Sequence, residues 1–213
     1  MSSSPPSSVM SARQRLTGAI SLAALAYVMG IAPLSFPFPL LPFLRFDLAE
    51  IPDIVSFLLF GWKYGVITAL AHWYALVITA TGVFAPPPIP QLMKLTAVLS
   101  MFLGVYVGLK VAEKIGRGKV VLSTLGGIAV RAGVMAPITF ALYYLLFPSI
   151  YLAFGKRTLT NLGYVFGTDL DVALIITGLT ALFNAISAAY LVPVGHSVVK
   201  ALRKALGPRL ALP

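Results

Sequence analysis

Few residues in this sequence could do chemistry, and none has the spacing a reactive set needs. A zinc protease would show paired ligands such as HExxH, a serine hydrolase a GxSxG elbow, a nucleotide hydrolase a P-loop. None of these occurs. His72 and His196 fall on different apolar runs, with no second histidine or carboxylate at ligand spacing. There is no cysteine, which excludes disulfides, thiolate metal sites and a Cys nucleophile. Carboxylates inside the apolar runs are too few for a proton relay or a cation pump. The sequence therefore predicts no enzyme, no metal and no cofactor.

Polar residues that interrupt the apolar runs remain as binding candidates. Arg131 sits mid-run, about ten residues or roughly 15 Å from the nearer end, too far for easy snorkelling. A charge there costs at least about 2.5 kcal/mol unless paired or hydrated, so it should face an interior. Asn184 must satisfy two donors and an acceptor, either across a helix–helix contact or on a ligand. His72 stands beside Trp73 and Tyr74, a cluster that suits a pocket or an interfacial aromatic belt. Lys94 can snorkel or meet an anionic ligand. Ala19 and Ala23, like Ala26 and Gly30, form small-xxx-small pairs that let a second helix approach, within the protein or outside it.

The elements that must position these residues are membrane helices. The chain has 213 residues, of which 10% are charged. Its mean hydropathy is +0.93. A soluble domain carries about 25% charged residues. The expected fold is an all-α integral membrane protein, a compact bundle of six transmembrane helices spread over 13–205. A Ser/Pro-rich N-terminus, 1–12, should be disordered, and 206–213 should form a C-terminal tail. The six runs cover about 16–32, 54–62, 65–83, 91–112, 120–147 and 169–192, the last with a basic continuation past Pro193. Pro33–Pro42 cannot be one regular helix. The segment 61–65 reads as a tight turn, 85–90 as a stiff loop and 152–168 as a longer loop. Pro137 should kink the fifth run.

Orientation follows from the basic residues. With the N-terminus inside, the inner side holds Arg13, Arg15, Lys63, Lys110, Lys114, Arg117, Lys119, Lys200, Arg203, Lys204 and Arg209. The outer side holds Arg45, Lys156 and Arg157. Both termini are then cytoplasmic, and Asp47, Glu50, Asp53, Asp169 and Asp171 lie outside. The net charge of +10 thus reflects topology rather than nucleic-acid binding.

Leu44-Arg45-Phe46-Asp47, then Glu50-Ile51-Pro52, then Phe57-Leu58-Leu59-Phe60-Gly61 and Gly65 resemble the substrate-binding S components of energy-coupling factor (ECF) vitamin transporters. The match is nearest to the riboflavin-binding branch, where a phrase like "FDFSDIP…FLFGP…G" joins the first two spans. Ala19-xxx-Ala23 is similar to the family's helix 1 motif, and Phe183-Asn184 to its "FN" in the last helix. The chain departs from that branch at His72-Trp73, where Lys-Asn is usual, near Thr139, where Asn is usual, and near Ser187, where Lys is usual.

The resemblance implies a binding subunit in the plasma membrane, multi-pass. It captures a vitamin such as riboflavin from outside and works with a transmembrane coupling protein and ATPase subunits that hydrolyse the ATP. Another flat vitamin-like molecule stays open as substrate. The resemblance carries over substrate contacts at Asp47 and Asn184 and docking on the coupling protein through Ala19 and Ala23, but not the other polar contacts; Trp73 and Tyr143 are expected to stack on a planar ligand, and His72, Lys94, Arg131 and Thr139 complete the candidate substrate-binding set. The alternative is a small membrane scaffold subunit or a stand-alone small-molecule transporter.

Overall fold

A computed structural model describes residues 10–31, 34–79 and 89–206. Residues 1–9, most of the stiff Pro-rich loop and nearly all of the C-terminal tail lie outside these. The described residues form seven helices and one two-stranded hairpin. Four of the helical stretches are long and apolar enough to cross a membrane: Ala12–Ile31, Ile89–Ile115, Lys119–Leu146 and Asp169–Ala205. The chain divides into two compact units.

The first unit takes residues up to Leu34, Leu48–Leu95 and the chain from Leu191 onward. Helix α1 spans Ala12–Ile31, so it already includes a residue of the expected disordered terminus. Helix α2 spans Glu50–Phe60 and from Ile54 onward is apolar but for Ser56, so nearly all of it is buried. At about 1.5 Å per residue, its 11 residues reach only about 16 Å, half a bilayer core. Gly61, at φ 93°, ends it, and its N–H closes on the Phe57 carbonyl at 3.0 Å. Helix α3, Trp62–Thr79, starts at the next residue. Gly65 then lies against α2, because a Cβ there would stand 2.6 Å from Phe57 Cβ. The expected tight turn is thus a single left-handed glycine followed by a second that permits close contact.

Ala19, Ala23 and Ala26 form the buried face of α1. Ala19 is 0% exposed and packs in a core with Val55, Leu59, Phe60 and Val199. Its carbonyl lies 3.1 Å from Thr68 Oγ1 of α3, which also stands 2.7 Å from Ser56 Oγ of α2. The Ala19/Ala23 pair therefore serves internal packing. Docking on a coupling protein is the role expected of this pair, and both residues lie on the face of α1 that its own unit buries. The face α1 leaves exposed carries Leu16, Thr17, Ile20, Ser21, Ala24 and Val28.

The second unit takes Ser35–Asp47 and Thr96–Tyr190. Its hairpin corrects the all-α expectation. Strands β1 (Ser35–Phe38) and β2 (Leu41–Asp47) pair antiparallel, Ser35 opposite Asp47 and Phe36 opposite Phe46. Prolines are tolerated because both strands of a two-stranded ribbon are edges. Arg45 ties the open end, donating from Nε to Ser35 Oγ at 3.0 Å and from a terminal nitrogen to the Ser35 carbonyl at 2.8 Å.

Helix α4 (Ile89–Ile115) and helix α5 (Lys119–Phe140) cross with their backbones nearly touching. A Cβ at Gly104 would collide with the Gly126 carbonyl, and one at Gly108 with the Leu122 carbonyl. Helix α5 runs through Pro137, which removes only the bond to the Gly133 carbonyl. The irregularity comes later, as a π-helical stretch over Ala141–Leu146 whose end is marked by Phe147 N–H on the Leu142 carbonyl at 3.2 Å.

The loop expected over 152–168 is instead largely helix α6, Pro148–Asn161. Pro148 suits its first turn, and Tyr151, Leu152, Gly155 and Leu159 make its buried side. Its polar stretch, Lys156-Arg157-Thr158, lowers hydropathy below that of a span without breaking the helix. Lys156 Nζ meets Asp169 Oδ1 at 2.6 Å. Helix α7 runs from Asp169 to Leu206 without a break at Pro193. Its start is a reciprocal cap: Asp171 Oδ2 accepts from the Thr168 N–H at 2.8 Å, and Thr168 Oγ1 accepts from the Asp171 N–H at 3.2 Å.

Candidate functional site

In the second unit the interior face of α5 is a stripe at four-residue spacing: Ser123, Gly127, Arg131, Met135 and Thr139. Tyr143, four residues on in the π stretch, is also buried. Three of the candidate residues, Arg131, Thr139 and Tyr143, thus fall on one stripe, Arg131 two turns before Thr139 and Thr139 one turn before Tyr143. Thr139 Oγ1 is buried and makes no hydrogen bond within the protein. The Tyr143 ring lies 5.2 Å from that of Tyr151 on α6, and the Tyr151 hydroxyl is likewise buried without a bond.

Arg131 is 2% exposed. Its Nε donates to Asn184 Oδ1 of α7 at 3.0 Å, and Nη1 lies 3.5 Å from Met101 Sδ of α4. Asn184 Nδ2 in turn donates to the Thr180 carbonyl at 2.9 Å. Asn184 therefore holds the guanidinium through its acceptor and is itself held by its donor. Asn184 thus makes a helix–helix hydrogen bond.

Asp47 ends β2, half-buried. Next to it, Phe46 stacks on Phe183 with centroids 4.9 Å apart, and Phe38 lies 5.7 Å from the same ring. Phe43 meets Phe154 of α6 at 5.0 Å. The hairpin is thus pinned by aromatic contacts to α6 and α7, which is what occupies Phe46.

In the first unit a carboxylate that the distribution of charge places on the outer side turns inward. Asp53, on the first turn of α2, is 1% exposed, and its Oδ2 lies 2.8 Å from Nδ1 of His72, itself 2% exposed. The sequence gives these residues no ligand-like spacing. The hairpin-like reversal at Gly61 brings them together across α2 and α3. The charges acting on Asp53 besides His72 are those of Lys94, on α4, and Glu50. Asp53 Oδ1 and His72 Nε2 are buried without hydrogen bonds. So are Trp73 Nε1 and Gln91 Oε1. Tyr74 points away, 61% exposed. The signal for Asp53 was its context: an acid one position ahead of the run Ile54–Phe60, apolar but for Ser56, belongs to a helix buried all round.

Among the described residues no group of three or more His, Cys, Asp or Glu side chains could hold a metal ion. The paired carboxylate and imidazole, the buried guanidinium and the open threonine hydroxyl are groups that bind by hydrogen bonding.

No family model and no curated protein matches the chain. Solved structures do. The chain is similar to the S component of a bacterial ECF transporter, with a TM-score of 0.60 and 21% identity, over 92% of this chain and 99% of that one. It is also similar to the S component for biotin from an ECF-type ABC transporter, with a TM-score of 0.50 and 19% identity, over 92% of this chain and 95% of that one. The chain has the fold of these S components, and its four helical stretches long and apolar enough to cross a membrane mark it as a multi-pass membrane protein.

Proposed function

We propose that the chain is the substrate-binding S component of an ECF-type importer, a binding subunit rather than an enzyme. It captures a vitamin from outside and passes it inward together with a transmembrane coupling protein and ATPase subunits. The observation that carries this reading is the fold shared over nearly the whole length of both chains. Riboflavin is the first candidate substrate, from the Phe46-Asp47 … Glu50-Ile51-Pro52 phrase. Biotin is the second, from the structural likeness.

The six crossings of this reading are α1, α2, α3, α4, α5 and α7, with α6 and the hairpin on the outer side and both termini cytoplasmic. The distribution of lysine and arginine supports that orientation in the plasma membrane. Thr139, with its open hydroxyl, and Tyr143 are candidate contacts in one unit. His72, Trp73 and Lys94 are candidates in the other. Asp47 and Arg131 are further candidates, with Asn184 as the residue that positions Arg131. Docking on the coupling protein is assigned to the exposed face of α1, where Thr17, Ser21 and Ala24 keep the profile low.

Vesicles reconstituted with this chain, an ECF coupling protein and its ATPases test the reading. They should take up labelled riboflavin or biotin only with ATP inside and only with the coupling protein present. Uptake by the chain alone would favour a stand-alone transporter instead.

A further inference from the structure

The turn between α4 and α5 concentrates charge that the proposed function does not use. Lys110, Lys114, Arg117 and Lys119 stand close together in the chain, with Glu113 the one carboxylate among them. All five are exposed. Glu113 is already engaged, since its Oε2 accepts from Lys110 Nζ at 2.9 Å. Lys119 also acts on Glu113, and one carboxylate does not balance both. Lys114 and Arg117 make no ion pair among the described residues. Lys156, by contrast, is matched by Asp169.

The turn holds these cations together at one end of two spans. Gly116 and Gly118, at φ 78° and 77°, flank Arg117 and reverse the chain between Ile115 and Lys119. No side chain caps α5 and no acid stands in its first turn, so nothing there offsets the positive end of its dipole. Exposed apolar strips at four-residue spacing run away from the turn on both helices, Leu103, Val107 and Val111 on α4, Val121 and Leu125 on α5. Lys114, three residues after Val111, lies on the same face as the first strip. Both helices are long and apolar enough to cross a membrane, so the strips meet acyl chains and the cations stand where headgroups begin. Tyr106, exposed and 5.8 Å below Lys110 Nζ, suits that boundary.

Topology requires these charges on one side of the membrane, but it does not require them unpaired on one turn between two apolar strips. A ligand with an anionic head and apolar tails satisfies both features, whereas an acidic protein satisfies only the cations. We infer that the α4–α5 turn binds the phosphate of an anionic phospholipid through Lys114, Arg117 and Lys119, with the lipid chains along the two strips. The inference holds whatever the chain transports.

Native mass spectrometry of the full purified chain, given phosphatidylglycerol or phosphatidylcholine with the same acyl chains, tests it. Wild type should retain phosphatidylglycerol in preference by about tenfold or more. The combined variant Lys114→Gln, Arg117→Gln and Lys119→Gln should lose that preference and keep its unfolding temperature, because all three side chains are exposed. Should it fail to fold, Arg117→Gln alone should lower the preference about fivefold. The comparison is Lys200→Gln, Arg203→Gln and Lys204→Gln at the end of α7, which removes the same charge and should leave the preference unchanged. An equal fall in both combined variants, or no preference in wild type, overturns the inference and leaves the charge of the turn to topology or to a protein partner. Displacement of the lipid by inorganic phosphate, but not by chloride at the same ionic strength, overturns it in favour of a free-anion site.

Discussion

Arg131 is a charge held where a charge is expensive, and Asn184 is what holds it. At a helix centre the cost is about 2.5–3.5 kcal/mol on insertion scales. The 3.0 Å bond from Nε to Asn184 Oδ1 offsets part of that. Asn184→Ala should therefore destabilise the fold by about 1–3 kcal/mol, the cost of a buried group left without its partner. Asn184→Asp, which keeps the acceptor and adds a counter-charge to Arg131 but gives up the donor to the Thr180 carbonyl, should cost less. Unfolding in detergent, followed by circular dichroism, separates the two. Ala19 makes the complementary case for size. Ala19→Leu forces bulk against Val55, Leu59 and Phe60 and should cost about 1–3 kcal/mol. Ser21→Leu, on the exposed face, should leave stability unchanged yet abolish uptake in the reconstituted complex. Normal uptake by Ser21→Leu would remove docking from that face.

At the scale of elements, helix contacts are set by glycine as much as by apolar side chains. Gly104 and Gly108 on α4 meet the backbone of α5 so closely that no side chain fits. Gly104→Ala should lower stability by about 1–3 kcal/mol or more, read as a fall in unfolding temperature, because its neighbour is a carbonyl that cannot step aside. An unchanged unfolding temperature would contradict the crossing. The long apolar helices were legible in the sequence because hydropathy and length mark them directly. The start of α7 was legible to the residue, because Asp169 and Asp171 stand at its N-terminus. The hairpin was not, since prolines at 37, 39 and 42 argue against strands unless both strands are edges. Nor was α6, whose Lys156 and Arg157 make it a surface helix rather than a span. Among candidate residues, Arg131 could be found because a charge in an apolar run stands out, whereas Thr139 and Tyr143 entered only through the family resemblance. The Asp53–His72 pair could not, because 19 residues and the reversal at Gly61 separate its members.

For the whole molecule, the proposed topology makes a direct prediction, and the absence of native cysteine makes it clean to test. Single cysteines at Ser11 and Lys204 should react with a membrane-impermeant maleimide only after the cells are opened. A cysteine at Val165, which is 94% exposed between α6 and α7, should react on intact cells. Labelling of Lys204→Cys from outside would reverse the orientation. The same topology gives the division of labour in the proposed importer. A chain of helices with buried hydrogen-bonding groups binds, and energy comes from partner subunits. The central claim is that this chain by itself holds a vitamin, and native mass spectrometry of the detergent-purified protein, with an absorbance spectrum of the same sample, tests it most directly. The account predicts one bound small molecule per chain, yellow if it is a flavin. A chain that arrives empty and whose unfolding temperature no vitamin in a panel shifts would contradict it.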